Sequence, residues 1–124
     1  MLTQLNKAAI KFDQDTGKLI DYAKSKGIPC FTHEKGLLQQ RKIYLTNGGT
    51  ARGTDAVHKT TGNHYRFLAF DLIVFNSKGK RITSGDDPVW TILGKFWESL
   101  DPQNDNGRSW GDANHFSRIW NGMK

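Results

Sequence analysis

The sequence predicts a single α+β domain, with helices packed on a small antiparallel sheet. Three observations carry that expectation. Leu68-Ala69-Phe70-Asp71-Leu72-Ile73-Val74-Phe75 is a nearly continuous apolar run of strand length. Asp86-Asp87-Pro88 opens a segment whose apolar residues recur at helical spacing, with proline tolerated in the first turn. The chain has 124 residues, about one domain, and is long enough to bury a core without disulfide staples.

From the N-terminus, Leu19, Tyr22 and Ala23 follow an i, i+3, i+4 pattern. Asp15 or Thr16 is the expected cap of that helix, and Gly27 its end. Pro29 to Thr32 reads as a short extended piece. Leu37, Leu38, Arg41 and Leu45 are spaced for a second helix that Asn47-Gly48-Gly49 stops. Residues 46–63, rich in Thr and Gly, read as a loop. The apolar strand follows, then a turn at Asn76-Ser77-Lys78-Gly79 and a return strand at Arg81-Ile82-Thr83. The helix after Pro88 carries Val89, Trp90, Leu93, Phe96, Trp97 and Leu100, and Pro102 lies beyond its end. Residues 103–111 read as a polar loop, and Phe116, Ile119 and Trp120 as a closing strand or turn.

Composition narrows the functional classes. Aromatic residues make up 11% of the chain and charged residues 24%, which is a globular and not a disordered composition. The single Cys30 cannot form an internal disulfide, and its Cys-x-x-His spacing to His33 has no second pair to complete a zinc finger. No apolar run approaches the roughly 20 residues of a membrane span, and Met1 to Lys7 lacks the apolar stretch of a signal peptide. A soluble product made in the cytoplasm is the expectation. The net charge of +6 suits an anionic partner, but the lysines are scattered instead of clustered, so charge alone does not choose between nucleic acid and cell wall.

Two segments hold the residues with chemistry. Gly62-Asn63-His64-Tyr65-Arg66-Phe67-Leu68-Ala69-Phe70-Asp71 and Asp112-Ala113-Asn114-His115-Phe116 together contain two of the four histidines and two carboxylates. A catalytic zinc needs three protein ligands, an open position for water and a base beside it. His64 and Asp71 are seven residues apart, about 23 Å in a strand and about 10 Å along a helix axis. Shared ligation therefore requires a bend within Tyr65 to Leu68. Asp112 and His115, three apart, can share one side of a single turn, with His115 on the metal and Asp112 at its water. His58 is a rival ligand six residues before His64. Taken singly, each of these residues reads more naturally as packing or turn chemistry; the combination is what points to a site.

The paired segments resemble the zinc murein peptidases of the VanY type, which include D,D-carboxypeptidases and phage L-alanyl-D-glutamate endopeptidases. The family motif is Ser-x-His-x-x-Gly-x-Ala-x-Asp, followed later by Asp or Glu-x-x-His. His64, Ala69 and Asp71 match the first part, and Asp112 and His115 the second. Gly94-Lys95-Phe96-Trp97-Glu98-Ser99-Leu100 and Trp110-Gly111 are similar to the phage branch. Gly62 stands where the family has Ser, and Phe67 where it has Gly. The Arg expected near the end of the family's first strand has no secure counterpart; Phe31 falls in its place and Arg41 is the nearest downstream candidate.

The resemblance implies a zinc site at one end of the domain, with His64, Asp71 and His115 as ligands and Asp112 as general base. It implies a monomeric hydrolase acting on bacterial peptidoglycan at the cell wall after release, with no nucleic-acid partner. The alternatives are a D,D-carboxypeptidase trimming terminal D-alanine, or a non-catalytic basic module that binds nucleic acid or cell wall.

Overall fold

The computed structural model describes residues 2–33 and 68–124. These form a small α+β domain of two helices and a four-stranded antiparallel sheet. The chain order is α1 (Gln4–Ser25), β1 (Cys30–Thr32), β2 (Ala69–Val74), α2 (Pro88–Leu100), β3 (Asn104–Gly107), a 3-10 turn (Arg108–Trp110) and β4 (Asp112–Arg118). The strands lie in the order β1-β2-β4-β3. The helix expected at residues 37–45, the loop at 46–63, and His58, Gly62, His64 and Phe67 lie outside the described residues.

Helix α1 starts well before the expected caps. Thr3 caps it, its side chain accepting from the Asn6 N–H at 3.1 Å. The reason lies in a longer apolar stripe: Ala8, Phe12, Leu19 and Ala23 are all buried on one face. Asp15 interrupts that stripe and looks like a boundary, yet it is fully buried within the helix. Its carboxylate pairs with Lys11 one turn earlier and accepts from Asn104 Nδ2 at 3.1 Å. Thr16 likewise stays helical, its hydroxyl donating to the Phe12 carbonyl. Gly27, with φ +69°, ends the helix as expected, in the left-handed region that glycine enters without a Cβ clash.

Helix α2 begins where proline and aspartate indicate. Asp87 accepts from the Val89 N–H at 2.9 Å, and Pro88 opens the first turn. Its apolar face meets α1 and the sheet in an aromatic cluster of Phe12, Phe70, Trp97 and Phe116, with ring centroids 5.4–6.0 Å apart. The Trp97 indole N–H donates to the Asp105 and Ser117 carbonyls, so the largest buried side chain has no unsatisfied polar group. Tyr22 stacks on Phe96 at 3.9 Å and closes the contact between the helices.

Residues 103–111 are not a loop. Asn104–Gly107 forms a largely buried edge strand and Arg108–Trp110 a 3-10 turn. The polarity that suggests a loop serves instead to cross-link elements: Asn104 bonds Asp15 and the Trp97 carbonyl. The return strand at residues 81–83 is reduced to one bridge, Phe75 with Arg81, plus the Ile82 N–H donating to the Val74 carbonyl at 2.8 Å.

An acid-sensitive tie joins the end of α2 to β4 and α1. Burial pushes the Asp101 carboxyl up, but the Arg118 hydrogen bond at 2.7 Å, the Gln103 N–H and the charges of Arg118 and Lys11 together hold it below the usual carboxylate range. A depressed folded-state pKa contributes stability above the unfolded value near 4, and that contribution is lost as pH falls through the folded value. Asp101→Asn is therefore expected to lower stability at pH 7, with the deficit against wild type shrinking below about pH 4. Urea denaturation at pH 7 and pH 3 checks this, and a deficit that is constant across both would contradict it.

Candidate functional site

The site is built where β2 and β4 pair. Asp71 on β2 stands directly opposite His115 on β4, so their side chains share one face of the sheet. The opposite face is the aromatic core: Phe70 pairs with Phe116. Alternation thus sends Phe70 and Phe116 inward and leaves Asp71 and His115 to each other.

Asp112 joins them through an irregularity. In a regular strand, residues three apart face opposite sides. The β3–β4 register, however, steps from Asn106 opposite Phe116 to Gly107 opposite Asp112, so the intervening β4 residues bulge from the ladder. The spacing of three works through this bulge, and not through a helical turn. His115 Nδ1 lies 3.7 Å from Asp71 Oδ1 and 3.9 Å from Asp112 Oδ2. The His115 side chain is 6% exposed, that of Asp71 17%, and that of Asp112 48%, so Asp112 is the member most open to solvent.

Asn106 holds the bulge in shape. It is fully buried, and its Nδ2 donates to the Ala113 carbonyl at 2.8 Å and the His115 carbonyl at 2.9 Å. Its Oδ1 accepts from the Arg108 backbone N–H and Nη1. Arg108 in turn makes a two-pronged pair with Glu98 of α2 at 2.8 and 3.0 Å, and Glu98 accepts from the Asn106 N–H. Two glycines make room. A Cβ on Gly94 would clash with Asn106 Oδ1 and Arg108 Nη1, and one on Gly107 with the Asp112 carbonyl oxygen. Trp110 flanks the site, its ring 5.1 Å edge-on to that of His115 and its indole N–H bonded to Asp105.

A further residue stands in the same row. The His33 N–H donates to the Asp71 carbonyl at 2.9 Å, and continuing the β1–β2 register sets His33 opposite Asp71. Strand alternation was the signal available for it. Cys30, at the start of β1, is half-buried, and that burial pushes its thiol pKa up, away from thiolate chemistry.

Of the four residues singled out by sequence, the structure brings Asp71, Asp112 and His115 together, and His64 lies outside the described residues. Among the described residues, no three His, Cys, Asp or Glu side chains form a complete metal-binding set. Asp71 Oδ1 and His115 Nδ1 are nonetheless a suitable pair of donors. Two ligand atoms on a tetrahedral zinc, each at about 2.0–2.1 Å, sit about 3.3 Å apart, close to the observed 3.7 Å. Two carboxylates around one imidazole also form an electronegative cluster of the kind a divalent cation neutralises. No family model matches the chain, and no curated protein matches it significantly. Among the described residues, no helix is long and apolar enough to cross a membrane.

If Asn106 shapes the bulge, Asn106→Ala leaves two buried carbonyls without a donor. The expected cost is about 2–4 kcal/mol, from roughly 1–3 kcal/mol for each buried group left unsatisfied, with partial relief by water. Denaturant unfolding of the variant measures it. A loss under about 0.5 kcal/mol, the level of an ordinary surface change, would show that the bulge holds without Asn106.

Proposed function

We propose that this chain is a zinc-dependent peptidase that hydrolyses stem-peptide bonds of bacterial peptidoglycan, with the L-alanyl-D-glutamate bond as the leading target. The observation that carries this reading is the convergence of Asp71 and Asp112 on one face of His115. These residues come from two distant segments that the murein-peptidase motif had already paired. A basic nucleic-acid module would leave that convergence without a purpose.

In this reading, Asp71 and His115 would hold the ion, with His64 as the third ligand. Bound zinc supplies a water of lowered pKa and polarises the carbonyl to be attacked. Asp112, the most exposed of the three, takes the proton from the attacking water and returns it to the leaving amine. Trp110 limits the freedom of the His115 ring from one side. The bulge fixes Asp112 relative to His115, so the base is positioned by backbone geometry instead of by a long flexible side chain.

The test separates the base from the ligands. Asp112→Asn is expected to retain zinc and the fold while losing about 10²–10⁴-fold in turnover. His64→Ala, Asp71→Ala and His115→Ala are expected to lose zinc together with activity, since each removes a direct metal bond. Elemental analysis gives metal content, and mass spectrometry of digested peptidoglycan gives both the rate and the bond cut. Release of terminal D-alanine alone would assign the carboxypeptidase reaction instead. Full activity in zinc-free protein, or normal turnover by Asp112→Asn, would overturn the mechanism.

A further inference from the structure

Beside the site lies a groove of about 280 Å³, lined by Arg81, Thr83, Asp112 and Asn114 over a floor that includes Leu72 and Trp90. It arises from a fork in the sheet. One edge of β2 pairs with β4 along Ala69 to Asp71, and the Leu68 carbonyl accepts from the Arg118 N–H. The same edge, two strand residues beyond Leu72, accepts the Ile82 N–H at the Val74 carbonyl. β4 and the segment around Ile82 therefore leave β2 in different directions, and the groove opens between them.

The two branches carry opposite charge. Asp112 lines one side of the groove and Arg81 the other. Ile82 packs against the core, while Arg81 pairs with Phe75, which by strand alternation shares the face of Asp71. Among the described residues, Arg81 has no carboxylate partner, in contrast to Arg108 and Arg118, which are paired with Glu98 and Asp101. Phe75 lies four strand residues from Asp71, about 13 Å along β2. An arginine side chain reaching back along the groove would shorten that span to about two residues of extended peptide.

We infer that Arg81 is a specificity-determining residue that binds a free carboxylate of the substrate, one to two residues beyond the bond presented to Asp112. This rests on the peptidase reading for the identity of the bond, but the carboxylate site itself stands on the groove. A guanidinium fork matches a carboxylate with two parallel hydrogen bonds, and the Thr83 and Asn114 positions add neutral polar groups along the path between the branches. Stem peptides fit this pattern, because a γ-linked D-glutamate leaves its own α-carboxylate free immediately after the L-alanyl bond. The groove would then favour free-acid stems over amidated ones.

Calorimetric titration of the full chain tests this, with N-acetyl-L-alanyl-γ-D-glutamyl-L-lysine and the same peptide amidated at both α-carboxylates as probes. Titrations in the Asp112→Asn background prevent cleavage from distorting the isotherm. The acid is expected to bind about 10- to 100-fold more tightly than the diamide, the worth of a charge-assisted pair. Arg81→Ala is expected to erase that ratio by weakening the acid alone, and Arg81→Lys to restore part of it. Equal binding of the two peptides, no saturable binding of either, or an unchanged ratio in Arg81→Ala would overturn the assignment. Hydrolysis by the wild-type chain is read separately: if the acid binds with the expected preference but is never cut, the peptidase reading fails and the Arg81 site stands.

Discussion

The amide of Asn106 is the constraint on which the site depends. A β-bulge displaces carbonyls from their ladder partners, and buried carbonyls without donors are costly. Asn106 Nδ2 supplies donors to two of them, Ala113 and His115, from the neighbouring strand. An apolar side chain at this position would leave both unsatisfied. A carboxylate would set like partial charges against each other. The arrangement is then secured from outside by Arg108 and Glu98, which tie the same amide to α2. Gly94 and Gly107 are needed for a related reason: both sit where the crowded network leaves no space for a Cβ.

This network ties α2, β3 and β4 together across residues 94–116. Trp97 anchors α2 to both β3 and β4, and Glu98, the next residue, reaches the polar network on the other side of the same helix turn. Burial and polarity are therefore interleaved along α2, with the aromatic core beneath the sheet and the charged brace at its edge. The buried Asp15–Asn104 contact repeats the device at the other end of β3, linking α1 to the sheet. Both asparagines in β3 act as cross-links and not as turn formers.

That reversal marks the limit of what the sequence makes legible. Strand β2, helix α2 and the pairing of Asp71, Asp112 and His115 are readable because apolar periodicity, the Asp-Pro helix start and a spaced motif are local signals. Strand β3 is not, since Asn104-Asp105-Asn106-Gly107 has turn-forming composition and its strand character comes wholly from tertiary hydrogen bonds. The start of α1 is hidden for a similar reason: Asp15 breaks the apolar stripe, and only its contacts with Lys11 and Asn104 show why a charge is tolerated there. The short spacing between Asp112 and His115 suggests the right neighbours by the wrong geometry, because a helical turn and a bulged strand both bring residues three apart onto one side.

The bulge also decides how the site can work. A regular β4 would bury Asp112 against the core or point it away from His115, since side-chain direction alternates strictly along an unbroken strand. Breaking the register once, at the end of the strand, lets His115 stay paired with Asp71 in the sheet while Asp112 emerges at the rim, nearly half exposed. Asp71 and His115 are thus held opposite each other within the sheet, and Asp112 sits where solvent and the neighbouring groove meet. Asp112 also lines the groove that opens beside Leu72, so the residue set at the rim by this irregularity borders that space. Straightening β4 would regularise the ladder, but it would turn Asp112 away from His115 and remove the third member of the cluster.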